Sequence, residues 1–100
     1  MELIYHLVTP SRWDLFEKQD FFIPQDYEND GFIHCSTIEQ VPRSLAKFYE
    51  NEPEVLLLHV SVAQLKANLK YELASNGQLF PHVYGPLNKD AVVDIVKIKG

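Results

Sequence analysis

The sequence predicts a small α+β domain spanning residues 1–100, in which a twisted and mostly antiparallel sheet packs against one long helix and one or two short helices. Three observations predict this class. Strand-like segments rich in β-branched and aromatic residues alternate with short helical segments. A helix cap after Cys35 precedes an apolar stripe at helical spacing. Asn76-Gly77 separates two further strand-like runs, and this dipeptide favours a hairpin because it tolerates positive φ.

The predicted elements follow one another through short connections. In chain order they are a strand at 3–9, a short helix ending at residue 18, an irregular loop at 20–30, a strand at 31–35, a long helix at 39–50, a strand at 55–60, a helical turn at 62–66, a hairpin of 69–74 and 78–84, a rigid loop at 85–88 and a last strand at 91–98. Thr9 or Ser11 caps the first helix, whose Trp13 and Phe16 are expected to face the core. The run at 55–60 is apolar on both faces, which is typical of a covered central strand.

Two segments are expected to supply apolar side chains to the core. In the long helix Val41, Leu45, Phe48 and Tyr49 recur at helical spacing and form one apolar stripe to bury. The helix is expected to pack on the sheet through the first three of them. Two pairs of residues fit a capping box at its start, namely Ser36 with Glu39 and Thr37 with Gln40. The last strand contributes five core residues: Val92, Val93, Ile95, Val96 and Ile98.

Composition and charge limit the classes of partner. The net charge of -5, with nine scattered Lys and Arg residues, argues against a surface that tracks DNA. Cys35 is the only cysteine, so no internal disulfide can form and the cytoplasm is the expected compartment. The longest strongly apolar run, Val55–Leu58, is far shorter than the roughly 20 residues of a membrane helix. The expected partner is therefore a small molecule or a nucleotide, rather than DNA or a membrane.

Three histidines are expected to line one cleft. Successive strand residues point to opposite faces, so His6 shares a face with Ile4, and His34 shares one with Phe32. These two histidines meet if their strands lie side by side. His82 lies near the end of the hairpin, just before Gly85-Pro86, which suits the edge of a cleft. A strand histidine taken alone is more often structural, and that alternative stays open.

Other polar residues have weaker signals. Cys35 and His34 point to opposite faces, so they cannot act as nucleophile and base, and Cys35 is expected to be buried. One cysteine and no closely spaced ligand pair predict that the protein holds no metal. Glu72 could supply a carboxylate or be an exposed strand residue. Arg12 and Arg43 are candidate phosphate contacts, and the helix start at Ser36 and Thr37 is a candidate anion site.

The chain resembles an uncharacterised family, domain-of-unknown-function family 952. The resemblance spans nearly the whole chain and is carried by four segments: Ile4-Tyr5-His6-Leu7, Gly31-Phe32-Ile33-His34-Cys35-Ser36-Thr37, Phe80-Pro81-His82-Val83-Tyr84-Gly85-Pro86-Leu87 and Ala91-Val92-Val93. That family looks like a compact relative of the ADP-ribosyltransferase fold, in which a split β-sheet holds NAD. The resemblance therefore implies that NAD is the substrate and that this fold is the architecture.

The resemblance also implies roles for individual residues. His6 takes the place of the first-strand histidine that contacts the nicotinamide-side ribose, and His34 takes the place of the residue that packs against nicotinamide. His82 with Tyr84 would shape the acceptor side. The remaining cofactor-binding residues are expected to be Arg12, Ser36 and Thr37.

The third family element departs from the pattern of many transferases. Where they carry a catalytic Glu, residues 80–84 offer no acid. This is closer to transferases with a second His and no acid, a subgroup that includes the RNA 2′-phosphotransferases. Three hypotheses follow. The first is an NAD-binding, ADP-ribosyltransferase-like domain with His6, His34 and His82 as catalytic residues, and the second is a non-catalytic nucleotide or small-ligand binding module that uses the same cleft. The third is a protein-interaction domain whose histidines are structural, which a cleft filled by side chains would support.

Overall fold

Eight strands and three short α-helices make up the fold, and the computed structural model describes all 100 residues. The strands are β1 Leu3–Val8, β2 Phe21–Phe22, β3 Ile33–His34, β4 Val55–Ser61, β5 Asn68–Leu73, β6 Leu79–Tyr84, β7 Leu87–Asn88 and β8 Val92–Lys99. The helices are α1 Pro10–Asp14, α2 Tyr27–Asp30 and α3 Val41–Phe48, with 3-10 turns at Ile38–Gln40, Val62–Gln64 and Lys89–Ala91. None of the helices combines the length and the hydrophobicity that spanning a bilayer requires.

The strands form two three-stranded sheets and one two-stranded sheet. The strand orders are β1-β4-β8, β3-β6-β5 and β2-β7, and every pairing is antiparallel. The two larger sheets meet at one bridge, where Tyr5 N–H donates to Ser36 O at 2.9 Å and Ser36 N–H donates to Tyr5 O at 2.8 Å. The predicted α+β class with a mostly antiparallel sheet is confirmed. This bridge brings β1 and β3 side by side.

The core is centred on β4, which lies between β1 and β8. On one face, the fully buried Leu58 and Val60 pack in a cluster with Ile4 of β1. On the other face, Val55 lies in a second cluster with Val41 of α3. Burial on both faces confirms that this strand is a covered central strand.

The first helix is shorter than predicted. Thr9 is its cap, since its side chain accepts a hydrogen bond from Arg12 N–H at 3.3 Å. The α-helix ends at Asp14 rather than at Lys18, and turns follow it. Trp13 and Phe16 nevertheless pack against the main core cluster, as predicted. They lie against the ring of Phe22, with centroids 5.2 and 5.3 Å away.

The long helix is also shorter than predicted, and Phe48 is exposed rather than packed in the core. A 3-10 turn precedes it, and Gln40 Oε1 accepts from Thr37 N–H at 3.0 Å, which selects the second of the two capping pairs. Val41 is buried and Leu45 packs against its cluster, but Phe48 is 67% exposed. The prediction for Phe48 was wrong because α3 ends at this residue. Tyr49, the last residue of the predicted stripe, does pack against the same cluster, and its hydroxyl donates to Leu7 O at 2.8 Å.

Two segments predicted as loops contain regular structure. The segment 20–30 includes β2 and α2, and the segment 85–88 includes β7. β2 pairs with β7, placing Phe22 opposite Leu87, and both side chains are buried. Strands of two residues are too short to show a period, so the sequence pattern missed them.

The last strand is mostly exposed, so the prediction holds only in part: Val92 and Ile98 pack partly buried against the two core clusters. Val93, Ile95 and Val96 of β8 are 43%, 42% and 40% exposed. β8 is an edge strand, and the core is centred on its neighbour β4, so neither face of β8 is fully covered. The hairpin prediction was better: β5 and β6 pair in register around a turn at 74–78, closed by Ala74 N–H donating to Gln78 O at 2.8 Å.

Candidate functional site

A cavity of about 820 Å³ opens beside the junction of the two larger sheets. We call this cavity the cleft. Its walls come from the end of β1, the segment around β3, helix α3 and the tip of the hairpin, and they include His6, Arg12, Asp30, Phe32, His34, Arg43, Lys47, Asn76 and His82. Its size lies within the range of small-molecule binding sites. All three predicted histidines line it.

His6 is buried at the wall of the cleft, and β1 places it there. It lies on β1 between Tyr5 and Leu7, opposite Leu58 of β4. Because Ser36 bridges to Tyr5, the β3 backbone runs next to it, and His6 Nδ1–H donates to His34 O at 2.7 Å. The predicted meeting of the two histidines is therefore a contact between one ring and the other residue's backbone.

The environment of His6 fixes its charge and its tautomer. Burial lowers the pKa of His6 to about 4, with a smaller contribution from the charge of His34. The ring is therefore neutral at pH 7. Since Nδ1 donates to a carbonyl, Nε2 carries a lone pair, and this buried nitrogen has no hydrogen-bond partner. His6 thus presents a neutral acceptor whose hydrogen bond is unmade.

His34 lies on the exposed side of β3 and is held by a carboxylate. Its Nε2 lies 2.8 Å from Oδ2 of Asp30, which is four residues earlier at the end of α2. Gly31, at φ 77°, makes the left-handed turn that brings α2 into β3. The Phe32 ring lies 4.6 Å from the His34 ring. Asp30, Phe32 and His34 form an aromatic wall with one acidic side chain.

His82 lies directly opposite His34 in the pairing of β6 with β3. The two rings are 5.3 Å apart in an edge arrangement, and the Phe32 ring stacks on His82 at 4.0 Å. His82 Nδ1–H donates to Oε1 of Glu72 on β5 at 2.8 Å, and the same oxygen accepts the hydroxyl hydrogen of Tyr84. The bonds from Tyr84 and His82 lower the pKa of Glu72, so it is ionised at neutral pH.

Three cationic side chains line the cleft without an ion-pair partner. Arg12 is fixed by two bonds to Ile23 O, from Nε at 3.1 Å and from Nη2 at 2.8 Å. Arg43 and Lys47 are one helical turn apart on α3. The three ion pairs of the structure involve other residues. The cleft therefore combines free positive charge with the acidic side chains of Asp26, Asp30 and Glu52.

Comparison with known proteins identifies a family. The model of the family described as "Protein of unknown function (DUF952)" matches residues 7–95. The chain belongs to this family. It is similar to the X-ray crystal structure of protein CC0527 from Caulobacter crescentus, with 33% identity over 96% of this chain and 85% of that one and a TM-score of 0.88. The solution NMR structure of CC0527 gives 33% identity, coverage of 99% and 86%, and a TM-score of 0.83. No curated protein matches the chain.

The predicted cofactor-binding residues of this DUF952 protein are only partly brought together. His6, His34, Arg12 and Ser36 line the cleft, whereas Thr37 and Tyr84 do not. The Ser36 hydroxyl lies 3.1 Å from that of Ser44 on α3. The amide of Thr37 is bonded by Gln40, and the Tyr84 hydroxyl by Glu72. The Thr37 amide therefore caps the start of the helix, and the Tyr84 hydroxyl is already bonded to Glu72.

Sequence reasoning left Glu72 open and did not single out Asp30 or Lys47. A signal existed for each. The hairpin turn at Asn76-Gly77 sets a register in which Glu72 shares a face with His82. Asp30 precedes His34 by four residues across a glycine turn, and Lys47 follows Arg43 by one helical turn. Cys35 is buried as predicted, and burial raises the pKa of its thiol to about 12.

Proposed function

We propose that the cleft binds NAD and that the protein acts at the nicotinamide-ribosyl bond as an ADP-ribosyltransferase-like domain, including the 2′-phosphotransferase-like subgroup. One observation carries the proposal. The buried Nε2 of His6 is a neutral acceptor with no partner, on a residue that lines a cavity of about 820 Å³. A buried polar atom without a partner costs free energy, and a ligand hydroxyl in the cleft would supply the missing bond.

The neutral imidazole of His6 is suited to accept a hydrogen bond from a ribose hydroxyl that lies next to the cationic nicotinamide ring. Its pKa of about 4 keeps the imidazole uncharged at neutral pH. An imidazolium at this place would repel the pyridinium of NAD, whereas a neutral acceptor does not. The resemblance of Tyr5-His6 and Gly31–Ser36 to the NAD-binding motifs of ADP-ribosyltransferases supports the same assignment.

The mixed charge of the cleft matches a ligand that is cationic at one end and anionic in the middle. Phe32 and His34 offer aromatic faces, and Asp30 supplies a carboxylate beside them. This combination suits the positively charged nicotinamide ring. Arg43 and Lys47 on α3 are unpaired cations for the diphosphate. His82, across from His34, would shape the acceptor side. No metal ligand set takes part in the proposal, and the cytoplasm is the proposed compartment.

A second candidate function is a non-catalytic nucleotide or small-ligand binding module. The observation that favours it is the position of Glu72, whose carboxylate does not line the cleft and is already bonded by His82 and Tyr84. Without a carboxylate at the ribose, the protein would bind its ligand but would not cleave the nicotinamide-ribosyl bond. Release of nicotinamide separates the two candidates.

Calorimetric titration with NAD tests the binding proposal. His6→Asn is the informative variant, because the asparagine amide can donate to His34 O as Nδ1 does but has no acceptor in the place of Nε2. We expect NAD to bind the natural protein and to bind H6N at least about tenfold more weakly, which corresponds to the loss of one hydrogen bond.

Tyr71→Phe is the matched control, since it removes the hydroxyl that bonds Glu2 on the outside of the hairpin. It should leave NAD binding unchanged. If NAD, ADP-ribose and nicotinamide all give no heat of binding and do not compete with one another, the NAD proposal is wrong. If H6N and the natural protein bind NAD with equal affinity, His6 does not contact NAD.

A further inference from the structure

Glu72 reaches the cleft only through another side chain. Its carboxylate lies on β5, outside the cavity wall, and His82, to which it is bonded at 2.8 Å, lies in that wall. The carboxylate holds Nδ1 of His82, so the proton of the neutral ring is on Nδ1 and Nε2 carries the lone pair. The bond from Nδ1 to Glu72 is the only hydrogen bond of the His82 ring within the protein, so Nε2 is free. A carboxylate-oriented histidine with a free nitrogen is the usual geometry of a general base.

We infer that His82, held by Glu72, is the general base that activates the hydroxyl attacking the ribose, an inference that rests on the proposed function of the cleft. His82 is then a catalytic residue and Glu72 a positioning residue. The absent carboxylate at residues 80–84 is thereby replaced by one that acts from the neighbouring strand through the imidazole.

The step balances with water as the attacking molecule. The water oxygen forms a bond to C1′ of the nicotinamide ribose, and the C1′–N bond to nicotinamide breaks. Its electron pair stays on the ring nitrogen, which turns the pyridinium into neutral nicotinamide. The proton of the water goes to Nε2 of His82, and the ionised Glu72 stabilises the resulting imidazolium. The products are ADP-ribose, nicotinamide and one proton, which His82 returns to solvent.

The surroundings of His82 support this role. Phe32 stacks on the ring at 4.0 Å and fixes its plane. The charged and titratable groups around it are His34 on β3, Glu72 and Lys70 on β5, and Tyr84 on the same strand. The Lys70 ammonium lies 4.9 Å from the Tyr84 ring, on which it rests rather than on the carboxylate. Glu72 is thus the one anion bonded directly to the ring.

The test measures nicotinamide release from NAD and NAD affinity in parallel. His82→Ala should bind NAD within about twofold of the natural protein but release nicotinamide about 10²- to 10⁴-fold more slowly, the usual range for loss of a general base. Added imidazole should restore part of the rate in H82A, which a purely structural role for His82 would not allow. Glu72→Gln should lower kcat while leaving KM for NAD unchanged, because glutamine keeps the size and loses the charge.

The outcomes separate this inference from the proposal on which it rests. A natural protein that binds NAD and releases no nicotinamide contradicts the general base and leaves binding intact. So does an H82A variant that releases nicotinamide at the natural rate, or one that is slow and not rescued by imidazole. If the natural protein does not bind NAD at all, the proposed function fails, and the inference with it. Y71F, on the opposite face of β5, should keep the full rate.

Discussion

His6 Nδ1 lies 2.7 Å from the backbone oxygen of His34, and this bond ties β1 to β3 at the junction of the two larger sheets. The bond requires a protonated Nδ1, so it fixes the lone pair on Nε2. It also holds the ring in a buried place where protonation is unfavourable. Fold and site therefore depend on the same imidazole, and its protonation should affect both.

Stability should fall in acid through His6. The unfolded chain protonates this residue near the ordinary pKa of 6.5, whereas in the folded protein the pKa is about 4. The unfolded state binds more protons between these values, so the contribution is complete above about pH 6.5 and is lost as the pH falls toward 4. We expect the free energy of unfolding to drop by about 2 kcal/mol at pH 5 through this group.

Urea denaturation of the natural protein and His6→Asn at pH 7 and pH 5 measures this effect. Asparagine keeps the donor to His34 O but does not titrate, so the drop between the two pH values should be about 2 kcal/mol smaller in H6N. The other titrating groups cancel in the comparison. Parallel pH profiles for the two proteins would show that His6 is not the buried neutral group described above.

The core is centred on β4, and Phe48 at the end of α3 contributes little to it. Leu58→Ala should lower the free energy of unfolding by about 3 kcal/mol, because the side chain is fully buried in the main cluster. Phe48→Ala should change it by less than about 0.5 kcal/mol, because the ring is 67% exposed. Thermal melts of both variants check this. A large loss of unfolding free energy in F48A would show that the Phe48 ring packs in the core, as the sequence predicts.

Gly85 should tolerate no side chain. It has φ 149°, and a Cβ added there would lie 2.8 Å from Cβ of Ala67. Gly85→Ala should therefore cost about 2 to 3 kcal/mol. Gly31→Ala is the control: φ is 77° but nothing lies within 4 Å, so only the backbone strain of about 1 kcal/mol applies. Adding Ala67→Gly should recover part of the cost in G85A, and no recovery would argue against the contact.

Cys35 should be inert in the folded protein. Burial raises the pKa of its thiol to about 12, so almost no thiolate forms at pH 8. Labelling with a thiol reagent at pH 8 should be slow under native conditions and complete in denaturant. Fast native labelling would place the side chain at the surface instead of in the core.

Local chemistry made much of this fold predictable. The cap at Thr37 and Gln40 and the Asn76-Gly77 turn depend on residues close in sequence, whereas strand parity only allows His6 and His34 to meet once their strands lie side by side. Spacing and side-chain type predict the turn and leave two capping pairs open, of which the structure selects Thr37 with Gln40. The three histidines do line one cleft.

Long-range pairing was not predictable in the same way. β2 and β7 are two residues each, and Phe22 finds Leu87 only after the sheet has formed. Strand order also decides exposure, which is why Val93, Ile95 and Val96 of the edge strand β8 are not core residues. The hairpin register alone places Glu72 on the same face as His82, but which of the two side chains lines the cleft depends on how distant segments pack around the hairpin.

NAD binding at His6 can be observed directly in the ¹⁵N spectrum of the histidine rings during a titration with NAD at pH 7. We expect the resonance of the unprotonated Nε2 of His6 to move on saturation, because this acceptor gains a hydrogen bond, while Nδ1 keeps its proton and its bond to His34 O. The His34 and His82 rings should shift with it, and His59, which lies against Tyr5 outside the cleft, should not. A saturating titration that leaves the His6 Nε2 resonance unmoved would contradict the central claim.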